Sequence, residues 1–181
     1  MKALYLTAAI AVFAAPALVQ STSPATAAMS EVSTPQFVKT VAVSDMFEIQ
    51  SSRLAAEKSK NANVQEFAAM MIKDHTKTSN ELKSLMKPAN AQKALPSQLD
   101  EKHTQMLSQL KSASGANFDR SYKQMQVQAH EDAVNLFQSY SQQGDNAELR
   151  AWAGKTLPAL QQHLQHAQNL PITQQTGDLR K

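Results

Sequence analysis

The amino-acid sequence predicts an all-α protein: a four-helix bundle with a short extra helix in the connector between its two helical hairpins. Three observations lead to this prediction. The 181 residues include only four Gly and seven Pro, and residues that favour helices, such as Ala, Gln, Leu, Lys, Met and Glu, dominate the rest. Apolar residues recur at steps of three and four along four long segments. There is almost no signal for β-strands.

The first 28 residues are predicted to be a cleavable signal peptide. Lys2 precedes an apolar run, and small residues follow it up to Ala27 and Ala28, where cleavage is expected. A transmembrane anchor is the alternative, but Pro16 interrupts the run, which is shorter than the roughly 20 apolar residues that a spanning helix needs. The protein is therefore expected to be exported, with no transmembrane span in the mature chain.

The first two long helices are predicted to form an antiparallel hairpin. One runs from Ser33 to Lys60, with Pro35 tolerated in its first turn. The other follows a short turn at residues 61–63 and ends near Met86. Their apolar stripes include Phe37, Val41, Phe47, Leu54 and Ala55, and then Val64, Phe67, Met71, Leu82 and Leu85.

The connector to the second hairpin is predicted over residues 87–117. A short helix from Ser97 to about Lys111 follows a loop that is bracketed by Pro88 and Pro96. The connector is long enough to cross the bundle, but the sequence does not decide whether it crosses.

The last two long helices are predicted to form the second hairpin. One follows a break at residues 114–117 and extends to Tyr140, and the other begins at Asp145 or Asn146 and stops at Pro171.

Together the helical segments predict one domain that has its own hydrophobic core. The domain is predicted to span residues 33–170, with a flexible polar tail over 171–181.

Composition limits the possible functions. Cysteine is absent, so helix packing rather than disulfides must stabilise the fold. The 18 Lys and Arg nearly balance the 15 Asp and Glu, and the lysines are scattered singly. Nucleic-acid binding is therefore not expected.

Each long helix carries an ionisable residue in its apolar stripe. These residues are Glu48, Asp74 with His75, His130, and His163. Burying an unpaired charge or imidazole costs several kcal/mol, so these positions are candidates for function. At about 1.5 Å per residue, Glu48 and His75 lie ~2 Å apart in height above the first tight turn. His130 lies near the middle of its helix, whereas His163 lies about one turn away from this level.

This set of residues predicts a metal site in the bundle interior. Imidazoles and carboxylates suit a late first-row metal such as zinc, copper or iron. The candidate ligands are Glu48, Asp74, His75, His130 and His163. Asp119 and Tyr122, near the start of the third long helix, are candidates for groups that support these ligands through hydrogen bonds.

Structural interpretations stay open beside the metal site. A single histidine on an apolar face is usually a core residue that is satisfied by a hydrogen bond. Glu48 with His75, or Asp74 with His130, can form an ion pair that fixes helix register. Methionines in the stripes are more often core filler than copper ligands. His103 is expected at the surface. His166, three residues after His163, is an alternative ligand, but it stands off the stripe and is expected to be solvated.

No complete catalytic motif is present. Ile72, Val127 and Leu160 stand three residues before the interior histidines, so the Glu-x-x-His motif of di-iron carboxylate bundles is missing. Nucleophile–base pairs and Gly-rich phosphate loops are also absent from the sequence. The second hypothesis is therefore a non-enzymatic envelope or stress-related interaction protein, and a metal-dependent oxidase or peroxidase is the third.

Three sequence segments resemble a known family. They are Phe67-Ala68-x-Met70-Met71-x-x-Asp74-His75-Thr76, Phe118-Asp119-Arg120-x-Tyr122 with His130, and Leu157-Pro158-x-Leu160-x-x-His163-Leu164. Together they resemble the bacterial family called domain of unknown function 4142, from about Pro35 to Leu170. The resemblance implies a ferritin-like helical bundle and no established activity. It also implies export to the periplasm or outer membrane, where an envelope protein or a second copy of the chain is the expected partner.

Overall fold

The computed structural model describes residues 32–86 and 95–172. Within these ranges the chain forms five α-helices and no β-strand, which confirms the all-helical prediction. The helices are α1 (Thr34–Lys58), α2 (Ala62–Leu85), α3 (Glu101–Ser112), α4 (Gly115–Gln143) and α5 (Ala147–Asn169). The predicted signal peptide, residues 1–28, and most of the predicted tail, residues 171–181, lie outside the described residues. None of the described helices is long and apolar enough to cross a membrane.

Polar side chains define where three of the helices begin. Asn61, Asp100 and Asn146 each accept a hydrogen bond from a backbone N–H in the first turn of α2, α3 and α5. Each bond satisfies an amide that the helix itself leaves unpaired. Because Asp100 is the capping residue, α3 begins at Glu101, later than the predicted start at Ser97.

The break before α4 is narrower than predicted. The helix already begins at Gly115, inside the expected break over residues 114–117. The backbone φ of Gly115 is 54°, a left-handed value that costs glycine little because it has no Cβ. The connector and α4 therefore join through a single tight bend.

The long helices pair as two antiparallel hairpins, α1 with α2 and α4 with α5, and α1 also packs against α4 and α2 against α5. Lys58, at the end of α1, lies 5.3 Å above the ring of Phe118 near the start of α4. At the other end, Thr34 of α1 forms a hydrogen bond with Tyr140 of α4. The end of α2 lies beside the start of α1, and α3, which precedes α4 in the chain, packs on α1 and α4.

Apolar side chains form two clusters, one at each end of the long helices. The lower cluster lies where α1 begins and contains Phe37, Val38, Val41, Leu82, Phe137, Tyr140, Leu149, Trp152, Ala153 and Leu160. The upper cluster lies where α1 ends and contains Ala55, Val64, Phe67, Ala68, Met71, Leu110, Phe118, Tyr122, Ala167 and Leu170. Between them lies a buried polar layer of Asp45, Glu48, Ser51, Ser52, His75, Gln126, His130 and His163. This layer holds the candidate site.

Candidate metal centre

Three histidines from three helices converge in the polar layer. One ring nitrogen each of His75 in α2, His130 in α4 and His163 in α5 lies within 4.8 Å of the other two. The ring centroids are 5.4 to 5.6 Å apart. The exposed fraction of each residue is 5 % or less. We call these three residues the histidine group.

The position of His163 differs from the sequence prediction. A count along the helices places it about one turn from the level of His130. In the structure the centroids of the two rings are only 5.5 Å apart. Side chains on an α-helix lean toward its N-terminus. Because α4 and α5 are antiparallel, these two side chains lean toward each other and close the difference in height.

His75 is oriented by a carboxylate that the sequence analysis missed. Its Nδ1 lies 2.8 Å from Oδ1 of Asp45, and the hydroxyl of Ser79 donates a hydrogen bond of 3.0 Å to the other carboxylate oxygen. The predicted pair of Glu48 with His75 is therefore replaced by Asp45 with His75. Asp45 stands four residues after Val41 and three before Glu48, so a wider stripe on α1 would have included it.

His130 is held as a neutral imidazole. Its Nδ1 lies 2.8 Å from the backbone carbonyl oxygen of Gln126, and a carbonyl only accepts, so Nδ1 carries the proton. Burial, together with the positive charge of nearby His75, lowers the pKa of His130 to about 3. Its Nε2 therefore presents a lone pair to the interior.

His75 and His130 face each other with their Nε2 atoms, which are 3.4 Å apart. Two lone pairs at this distance repel each other, so the contact needs a proton or a cation between the nitrogens. Burial opposes a charge on His75, but the hydrogen bond and charge of Asp45, with the charge of Glu48, outweigh it and raise the pKa of His75. The raised pKa of His75 favours a proton on its Nε2, between the two rings.

His163 pairs with the residue that was predicted to partner His130. Its Nε2 lies 3.1 Å from Oδ2 of Asp74, whose side chain is 38 % exposed. The remaining nitrogen, Nδ1, is buried and has no hydrogen-bond partner among the described residues. Burial and the charge of His75 lower the pKa of His163, so this nitrogen also offers a lone pair.

Glu48 lies in the polar layer but is not part of the histidine group. It is 1 % exposed, and within the described part of the chain neither carboxylate oxygen has a hydrogen-bond partner. Burial, opposed by the charge of His75, raises the pKa of Glu48 to about 7. The layer thus contains a buried carboxyl group whose charged form His75 and Gln126 stabilise only in part.

Replacing Glu48 with glutamine is expected to change how stability depends on pH. Because the pKa of Glu48 is about 7 in the folded chain and near 4.5 when unfolded, the native protein loses stability as the pH rises through this window. Glu48→Gln removes the loss, so it should be more stable than the native chain at about pH 8 by up to about 3 kcal/mol. At about pH 4 the two should be nearly equal. Urea unfolding of the metal-free proteins at both pH values measures this, and a constant difference would contradict it.

The other predicted residues lie outside the histidine group. The Tyr122 hydroxyl lies 2.8 Å from Oγ of Ser52, two helical turns from His130 along α4. Asp119 is buried one turn further away. His103, expected at the surface, instead packs its ring 5.1 Å from Phe47 and is only 15 % exposed as a side chain. His166 is exposed, as predicted.

Comparison with known proteins identifies a family and two similar folds. A family model described as domain of unknown function (DUF4142) matches residues 19–170. The solved structure "CopM in the Cu(II)-bound form" aligns with a TM-score of 0.65 and 16 % identity, over 77 % of this chain and 95 % of its own. A candidate secreted protein from Streptomyces coelicolor, described as DUF305, aligns with a TM-score of 0.61 and 12 % identity, over 75 % and 89 %. These identities show similarity of fold alone, and no curated protein matches the chain.

Proposed function

The chain belongs to the family described as domain of unknown function (DUF4142), and we propose that it is an exported protein that binds one transition-metal ion through His75, His130 and His163. The supporting observation is that each histidine forms a hydrogen bond through the ring nitrogen that would not bind the metal. The acceptors are Asp45, the carbonyl of Gln126, and Asp74. Metal-binding histidines almost always use their other ring nitrogen in this way, because the bond fixes the ring and its tautomer. Three such histidines leave three nitrogens for a shared cation.

The donor set indicates which metals to test. Three imidazoles suit zinc, copper or iron, and among divalent first-row ions copper generally binds such sites most tightly. The similar fold of CopM was solved with Cu(II), which supports testing copper first. In this proposal Asp45 and Asp74 orient the histidines, and Glu48 supplies a nearby negative charge that stabilises the bound cation.

The proposal extends to architecture and location. We propose that α1, α2, α4 and α5 form a ferritin-like four-helix bundle over residues 33–170, with α3 in the crossover connector. The antiparallel packing of these helices supports it. The apolar run before residue 28 supports export to the periplasm, with association at the outer membrane as an alternative.

The metal content of the exported protein tests this function. The full chain is expressed with its leader, purified from the periplasm, and measured for metals before and after loading with Cu(II). About one ion per chain is expected, with an electron paramagnetic resonance spectrum that shows coupling to imidazole nitrogens. If neither the purified nor the loaded protein holds metal, the proposal is wrong.

A structural network in an envelope interaction protein is the second candidate. Asp45 with His75 links α1 to α2, and Asp74 with His163 links α2 to α5, so the polar layer also joins helices in pairs. Under this reading added metal leaves the melting temperature unchanged, and substitutions in the layer only destabilise the chain. A partner recovered from the cell envelope would support it, and stoichiometric metal binding would exclude it.

A further inference from the structure

A cavity of about 290 Å³ lies beneath α3, between α1 and α4. Its inner wall includes Asp45 and His75, so it reaches one member of the histidine group, His75. Its outer wall is formed on α3 by Lys102, His103 and Met106. Serine, threonine and glutamine side chains line the path between these walls and provide oxygen atoms along it.

The histidine group is otherwise well covered. Exposures of 3 % for His75, 1 % for His130 and 5 % for His163 leave little contact with solvent. A hydrated cation must therefore pass between side chains to reach the three nitrogens. Besides the cavity, the partly exposed Asp74 between α2 and α5 is the competing point of approach.

The C-terminal half of α3 is firmly attached to the other helices. Leu107 and Leu110 are its buried residues. Lys58 Nζ donates hydrogen bonds of 2.6 and 2.7 Å to the backbone carbonyls of Lys111 and Ala113. These contacts hold the upper end of α3 against the end of α1.

The N-terminal half of α3, over the cavity, is held more weakly. Lys102 Nζ lies 3.2 Å from Oδ2 of Asp132 in α4, and the two side chains are 60 % and 54 % exposed. Such exposed ion pairs contribute only about 0 to 1 kcal/mol. The ring of His103 also packs against Phe47. This half of α3 has no fully buried side chain, so displacing it costs less than separating the long helices.

We propose that the metal ion reaches the histidine group through the cavity beneath α3, past the Lys102–Asp132 ion pair at its mouth. The inference rests on the proposed function, because it describes how that site is loaded. The Asp132 carboxylate offers the first negative charge to an incoming cation, and Asp45 provides another at the inner end. Lys102 competes with the cation for Asp132 until the ion pair opens.

A reversible block of the cavity tests the route. The chain has no cysteine, so Thr40→Cys, at an exposed position that lines the cavity, can be labelled with a benzyl methanethiosulfonate and later released by reduction and desalting. The matched control is the labelled Lys77→Cys variant, whose site is exposed on α2 near Asp74. Cu(II) uptake by the metal-free full chain is followed by stopped-flow absorbance.

The label at Thr40→Cys is expected to slow Cu(II) uptake by at least about 10-fold and to change the dissociation constant by less than about 2-fold, because it obstructs the path without touching a ligand. Uptake by labelled Lys77→Cys should match that of the unlabelled chain. Equal rates for the two labelled variants, or a slower rate for Lys77→Cys, would overturn the route. An unlabelled chain that binds no Cu(II) at equilibrium would refute the proposed function as well, so the two failures are distinguishable.

Discussion

His130→Ala is expected to lower the affinity for Cu(II) by more than about 100-fold, since loss of a group that merely supports a ligand already costs about 10- to 100-fold. His130 presents a neutral Nε2 to the interior, 3.4 Å from Nε2 of His75, and alanine removes that donor without supplying another. The variant should also lose stabilisation by metal. A native chain at a free Cu(II) concentration of about 100 times its dissociation constant gains about 2.7 kcal/mol.

Competition with a chelator of known affinity measures the first effect, and thermal unfolding with and without Cu(II) measures the second. The control is His166→Ala, which removes an exposed histidine on α5 outside the histidine group. It should bind Cu(II) like the native chain. Equal affinities for the His130→Ala and His166→Ala proteins would show that the buried histidines do not hold the metal.

Asp45→Ala is expected to destabilise the metal-free protein by about 3 to 5 kcal/mol, the usual cost of removing one partner of a buried ion pair. The side chains of Asp45 and His75 are each 4 % exposed, so the pair has little contact with solvent outside the protein. Both His75 Nδ1 and the Ser79 hydroxyl lose their acceptor. Asp45→Asn should cost less, because its amide oxygen still accepts one of these hydrogen bonds.

Urea unfolding at a pH near 6 measures these losses, with Asp132→Ala as the control. Asp132 also pairs with a base, Lys102, at 3.2 Å, but both side chains are more than half exposed. Its removal should cost only about 0 to 1 kcal/mol. If Asp45→Ala costs no more than Asp132→Ala, the Asp45–His75 pair does not stabilise the fold.

Local signals account for the predicted burial of the three histidines, which the structure confirms. His75, His130 and His163 interrupt regular apolar stripes, and a helical period requires such residues to face the interior. Asp45 was missed because it stands beside the narrow stripe that runs through Glu48. The pairing of Asp74 with His163 rather than His130 also could not be read from the sequence, because it depends on which helices are neighbours.

By itself, the sequence determined the helical class, the approximate helix boundaries, the membership of the family and the inward direction of the histidines. These properties follow from spacing and capping, which act within one or two helical turns. Only the tertiary structure decided that α3 packs on α1 and α4, that Asp45 and Asp74 orient His75 and His163, and that three ring nitrogens meet within 4.8 Å. Those features depend on the relative height of side chains on antiparallel helices and on the direction in which they lean. The apolar pattern of a single helix carries no information about its position relative to its neighbours.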